Sequence, residues 1–361
     1  MVVHHRFKLL KLPYLAYDKV VNEMNIREQF KVATLSKKMQ RVVKNSNQRE
    51  TISPHVRFHR IISIVFTNDK KRNSFTIRLR PKQGGRYPTM AEFQEQFLFF
   101  KNIFNISNID LSFLHDYPRH LKLQVIPFLV QENLKVSRFI AYSNYCTPKD
   151  TYLLALNQST NAKQLQLYNG LPGEIQLSVD ECPIMNVDDM ALFDAKWVKI
   201  EHMLKRFMNC QKIQLHGCRF RVGEFKLFVQ KWMRSPESRT EYVKFRLKNP
   251  SQFGSLVQGI EHRLVGQAYI DNVIIHSHSG CFMVEQVSSG KRAIIYNNHG
   301  ELIFTTKFSL QLSIRPNVSQ PPEPPFENDD DEPNYQDDLE MDDFDSDDSE
   351  VDDNDSDPGS D

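Results

Sequence analysis

Three short constellations in this 361-residue chain could do chemistry. His276-x-His278-x-x-Cys281 carries donors of the kind that hold a transition metal. His216-Gly217-Cys218 sets an imidazole two residues from a thiol, the pairing a cysteine nucleophile needs. Gly84-Gly85-Arg86 offers small residues and a cation that could cradle a phosphate. None is complete. No second ligand pair lies near the first, so its members read as solvated loop residues. Cys218 closes an apolar strand pattern and reads as core packing. No helix follows Gly85 promptly. The nucleophile elbow, the P-loop, HExxH and GxGxxG are all missing. The expectation is a chain with no catalytic residue, metal or cofactor.

The charges are unevenly placed. Residues 1–315 hold all 46 Lys and Arg against 25 acids, while residues 316–361 hold 20 acids and no base. Basic clusters lie at Lys70-Lys71-Arg72, at Arg78, Arg80, Lys82 and Arg86, and at Arg219 and Arg221. Net charge alone argues only for unspecific attraction. No aromatic-interleaved nucleic-acid module accompanies it, so nucleic acid is a disfavoured partner. Residues 316–361, rich in Pro, Asp and Ser, read as a disordered acidic tail, with Ser349 set among acids where phosphorylation would deepen the charge. A tail of opposite sign could screen the basic body or simply keep it soluble. The five cysteines are odd in number and lack a CxxC pair, which fits a reducing compartment. No signal peptide and no membrane-length apolar run is present, so a cytoplasmic or nuclear setting is expected.

The elements that must position these residues follow from periodicity. Leu12-Pro13 gives an extended entry, and Tyr17, Val20, Val21 and Met24 recur at helical spacing. A second helical stripe holds Phe30, Ala33, Met39, Val42 and Val43. A unit of 45 residues cannot bury a core alone. Residues 60–80 predict a hairpin, and 91–104 a helix with Phe93, Phe97, Phe100 and Phe104 on one face. From about 109 to 250, β-rich runs recur with a period near 28: 108–114, 136–142, 162–168, 211–218 and 241–247. Between 167 and 213 one more strand is needed, and Glu174–Val179 competes with Trp197–Ile200 for it. Amphipathic stretches separate the runs, the clearest being Phe225, Phe228, Val229 and Trp232. The period favours an irregular leucine-rich-repeat-like strand–helix solenoid over an open sheet of βαβ units, and Ile213-x-Leu215-x-x-Cys218 fits the repeat's core. Residues 269–310 predict an antiparallel β meander, with turns at Ser288-Ser289-Gly290 and Asn297–Gly300, that would cap the solenoid. The fold class is thus α/β with an N-terminal all-α unit.

The segment FKLLKLPYLAYDKVVNEMNIREQFKVATLSKKMQRVVK resembles an F-box, through Leu12-Pro13, Val20-Val21 and Met24, the Glu28-x-Phe30-x-Val32 stretch and Ser36-Lys37-Lys38. Gln29 stands where a second leucine is common and Met39 where tryptophan is common. The run CQKIQLHGCRFRVGEFKLFVQKWMRSPESRTEYVKF at 210–245, with RIISIVF near 60 and the later SGKRAIIYNN, resembles the nematode F-box-associated domain, type two. The resemblance implies an F-box over 6–50, an F-box-associated domain over 55–312, and the tail over 316–361 outside both. It implies a non-enzymatic substrate adaptor of an SCF-type ubiquitin ligase. Leu12, Pro13, Val20, Val21, Met24, Phe30, Val32, Ser36 and Lys37 would meet a Skp-type adaptor, and through it a cullin, while the second domain captures a protein substrate. The competing readings are an interaction module without ligase function, and a basic nucleic-acid-associated protein autoinhibited by its acidic tail.

Overall fold

A computed structural model describes residues 13–310, apart from 48–51, 69–72, 82–84, 86, 115–117, 143–146, 169, 174, 266, 271–272 and 277–279. The expected acidic tail therefore lies outside the described residues.

Three short helices come first: α1 (Tyr14–Glu23), α2 (Ile26–Thr34) and α3 (Lys37–Ser46). The single helix expected through Phe30 and Val43 is two, α2 and α3, because side-chain caps mark a separate start for each. Asn25 and Glu28 form a reciprocal capping box at α2, and Ser36 caps α3 by accepting from the Met39 N–H (3.2 Å). Ser46 donates to Asp18, tying α3 to α1. Val21, Ile26, Ala33, Val42 and Val43 are buried where the three meet.

These helices lean on a thirteen-stranded mixed sheet. Strands β1 (His55–Phe58), β4 (Asn108–Phe113), β5 (Lys135–Ala141), β6 (Gln164–Leu167), β7 (Asp189–Leu192), β8 (Lys212–Phe220) and β9 (Tyr242–Leu247) are neighbours in that order, and all run parallel. The predicted hairpin, β2 (Ile62–Asn68) and β3 (Asn73–Leu79), forms one margin beside β1. Three runs of the predicted meander, β13 (Cys281–Glu285), β14 (Arg292–Asn298) and β15 (Glu301–Thr305), are present and extend the sheet beyond β9 by edge pairing, while its first run, near 269–276, folds back on itself in a separate small sheet. A two-residue strand, β10 (Arg263–Leu264), ends that side.

Helices α4 (Met90–Ile103), α5 (Arg119–Gln131), α6 (Lys149–Gln158) and α8 (Val222–Arg234) cover one face, with the short turn α7 (Ile200–His202) widening into a π-helical segment at Met203–Phe207. Phe93, Phe97 and Phe100 of α4 and Phe225, Phe228, Val229 and Trp232 of α8 are fully buried there, as their spacing predicts. The same apolar cluster contains Val21, Ile26 and Val43, so the helical unit and the sheet share one core. A smaller sheet, β11 (Gln267–Ile270), β12 (Val273–His276) and β16 (Ser309–Leu310), packs Ala268 and Ile270 against Met283, Ile294 and Ile303.

The strand between 167 and 213 is neither of the two segments the sequence offers. It is Asp-Met-Ala-Leu at 189–192. Those four residues include no β-branched or aromatic side chain, so local propensity gives no signal. Pairing with β6 and β8 imposes the strand instead. Strands β4 to β9 advance in chain order, with register partners Leu111, Phe139, Leu165, Met190, Ile213 and Val243 between 23 and 30 residues apart. Among the described residues, the link from β6 to β7 contains no helix. The fold observed is mixed α/β, a large mixed sheet with helices on one face.

Candidate functional site

The second face of the parallel strands carries no helix among the described residues, and its side chains stand in register rows. One row runs His55, Asp110, Arg138, Gln164, Asp189, Lys212 and Tyr242. The next includes Arg57, Ser112, Ile140, Gln166, Ala191, Gln214 and Lys244. Just past β5, β6 and β7 and within β8, Tyr142, Tyr168, Phe193 and His216 stack ring on ring, with centroids 4.2, 4.1 and 4.2 Å apart and planes within 23°. All four rings are half-buried.

Tight backbone turns aim this ladder. The chain leaves β7 at Asp194 (φ 52°) and kinks in β8 at Gly217 (φ 82°). A Cβ on Gly217 would lie 3.2 Å from the Asp194 Cα, so the two turns nest and only glycine suits the second. The same kink shifts the β8 register and separates His216 from Cys218. His216 stays in the ladder. Cys218 turns into the core, where its thiol donates to the Val198 carbonyl and burial pushes its pKa up to about 12. The His–Cys pair is therefore not assembled. Burial likewise raises Cys182 and Cys210 to about 12 and Cys281 to about 11, which keeps these thiols protonated. Among the described residues, no group of three or more His, Cys, Asp or Glu could hold a metal ion; of the His276, His278 and Cys281 constellation, read as solvated loop residues, Cys281 is instead buried in β13, while His278, Gly84 and Arg86 lie outside the described residues.

Electrostatics differ across the face. Burial, with Arg57 and Arg138 adding positive charge, lowers His55 to about 4, and its Nε2 lies 2.8 Å from Ser112 Oγ. Asp110 is raised by burial against the pull of Arg138 and Lys163. At the far end Lys244 pairs with Glu301 (2.7 Å). His216 is lowered by burial and by Lys244, with Glu301 opposing, so the ladder's fourth ring is neutral near pH 7.

The nine residues that the F-box resemblance would set against an adaptor fall into groups. Leu12 lies outside the described residues. Pro13, Val20, Ser36 and Lys37 are exposed. Val21 is fully buried, and Met24 and Val32 pack against the core. Phe30 meets Phe75 of β3 and Phe99 and Phe100 of α4, at centroid distances of 5.3, 6.0 and 5.0 Å. Two exposed apolar residues join the first group, Leu15 and Leu35, each 75% exposed. Sequence reasoning passed over them because periodicity ranks residues by burial, and these two break the pattern.

Gln29, the departure from the motif, is structural. It is buried, and its Nε2 donates to the Val21 and Met24 carbonyls (2.9 and 3.3 Å) while Oε1 accepts from Asn47 Nδ2 (3.1 Å). One amide thus joins the α1 end, α2 and the α3 end. Gln29→Leu removes the donor to both carbonyls and the acceptor of the Asn47 amide, and is expected to cost about 1–3 kcal/mol, read as a lower urea midpoint. An unchanged midpoint would show that the strut is dispensable.

Comparison with known proteins places one part of the chain. Residues 178–245 match the F-box associated family. The F-box associated segment begins in the loop before β7 and ends within β9, so it contributes Phe193 and His216 to the ladder and all of α8. A 69-residue stretch is 29% identical to an uncharacterized protein of Caenorhabditis elegans, covering 19% of this chain and 16% of that protein. The chain thus matches about a sixth of that relative's length. No solved structure matches the chain. Among the described residues, no helix is long and apolar enough to cross a membrane.

Proposed function

We propose that this chain is a non-catalytic substrate adaptor of an SCF-type ubiquitin ligase. The observation that carries the reading is the F-box associated segment at 178–245 in a chain that opens with a three-helix unit. Helices α1–α3 act as the F-box and meet a Skp-type adaptor, which links to a cullin; the sheet domain takes a protein substrate. Ubiquitin chemistry belongs to other subunits, and no cofactor is needed. Strands β4–β9 act as an irregular leucine-rich-repeat-like stretch whose helix-free face is the substrate side.

The adaptor surface is built from the exposed members of the predicted set, Pro13, Val20, Ser36 and Lys37, extended by Leu15 and Leu35, with Leu12 of the same set preceding them in the chain. Val21, Met24, Phe30 and Val32 hold the helices in place beneath it. Exposed leucines on short helices suit docking into an apolar groove. Leu15→Asp with Leu35→Asp is expected to weaken capture of the Skp-type adaptor at least tenfold, because central apolar contacts are each worth about 2 kcal/mol or more. Thermal unfolding should be unchanged, since both side chains are already solvated. Equal capture by the double variant would sink the surface assignment.

A second reading is an interaction module without ligase function, favoured by the packing of Phe30 into the sheet domain. In that case the wild-type chain fails to capture the adaptor at all.

A further inference from the structure

We propose that the helix-free face of β1 and β4–β8 binds an acidic, extended peptide segment of the substrate, lying across the strands from Arg57 and Arg138 toward the aromatic ladder. The inference rests on the adaptor reading only for the word substrate; the site stands on the face itself.

The ladder's chemistry selects the class of ligand. Tyr168 and Phe193 have a ring stacked on both sides, so their π-faces are already used. A nucleobase or a sugar ring needs a free face on which to stack. Apart from the outer faces of the end rings Tyr142 and His216, what the ladder offers is ring edges, beside the Gln166 and Gln214 amides in the next register row and the half-buried Ile140. Edges and amides together suit apolar side chains and backbone polar groups, which is the chemistry of a peptide.

Charge selects the composition. Arg57 and Arg138 are exposed and form no ion pair among the described residues, and exposed Lys163 acts with Arg138 on Asp110, the acid of this cluster. The acids at the other end are already accompanied: Asp189 by Lys212, Asp194 by Lys196 and Glu301 by Lys244. With Asp110 set against Arg57, Arg138 and Lys163, the balance of charge at this end of the face is positive. From Arg138 to Tyr142 the strand runs about 13 Å. One short extended segment can put carboxylates at the arginines and large apolar side chains at the ladder. Complementary charge of this sort fixes register and speeds association.

The test uses the full chain and a displayed library of random twelve-residue peptides. Selected peptides should be enriched in Asp or Glu beside Leu, Phe or Tyr. Arg57→Glu with Arg138→Glu should weaken the best peptide at least tenfold by fluorescence anisotropy, with an unchanged thermal midpoint. Arg78→Glu with Arg80→Glu, two exposed cations on and just beyond β3, should leave affinity within twofold. A peptide with its acids replaced by Lys should recover binding to the Arg57→Glu, Arg138→Glu variant. Selection without acidic enrichment, or equal affinity for that variant, overturns the proposal. So does tighter binding of a twenty-nucleotide single strand that the same substitutions abolish. Peptide binding that persists in a chain unable to capture the Skp-type adaptor supports the site while removing the adaptor role.

Discussion

Deleting residues 1–50 is expected to lower the thermal midpoint of the remaining chain by about 10 °C or more, while its unfolding stays cooperative. Phe30 and its neighbours cover Phe75, Phe99 and Phe100. Uncovering two or three large apolar side chains costs about 1.5–3 kcal/mol each. In a domain of this size each kcal/mol moves the midpoint by about 2–4 °C. Differential scanning calorimetry of the two chains decides the matter, and equal midpoints would mean that the helices merely rest on the sheet. From composition alone the helical unit reads as separable, because the rhythm changes abruptly near residue 55. Which aromatic faces which is a tertiary fact, and periodicity cannot show that Phe30 turns toward the sheet.

Trp232→Ala is expected to remove about 3–5 kcal/mol. The indole is fully buried, its Nε1 donates to the Thr240 carbonyl (3.2 Å), and its ring meets Phe304 edge-on at 4.9 Å. The side chain of Gln286 donates to the carbonyls of Trp232 and Ser235, so the same turn of α8 is tied to the meander twice. Trp232→Phe keeps most of the apolar contact but leaves the Thr240 carbonyl without its donor, and should cost about 1–3 kcal/mol. Chemical denaturation of the three proteins checks both figures. A loss below 1 kcal/mol for the alanine variant would mean that α8 is held from elsewhere.

Trp232 also shows what was readable in advance. Phe225, Phe228, Val229 and Trp232 are spaced for one helix face, and the structure buries all four. The β-rich runs at 108–114, 136–142, 162–168, 211–218 and 241–247 all overlap observed strands. β7 escaped because four residues of low β-propensity are held by their neighbours rather than by themselves. The ladder escaped for a different reason. Tyr142, Tyr168, Phe193 and His216 each directly follow an apolar residue of one inward register row, Ala141, Leu167, Leu192 and Leu215, and that regularity was available. Only the parallel register turns such a spacing into contact, and without β7 the series lacks its third ring. Cys218 is in the core as its pattern predicts, although a plain strand would have kept it on the face of His216 and only the kink at Gly217 turns it inward.

The order of the parallel strands has a consequence for biosynthesis. The ribosome adds about 5–20 residues per second, so each unit of 23–30 residues between β4 and β9 takes seconds to emerge. Local structure forms in microseconds, so every new strand can pair with the one before it long before the next arrives. During each wait the newest strand presents an unpaired edge, the kind of template on which chains aggregate. The wait is longest at β9, whose partner β15 begins 54 residues after β9 ends. Translation speed through that stretch, more than the final stability of the sheet, would set how much of the newly made protein a holding chaperone must protect.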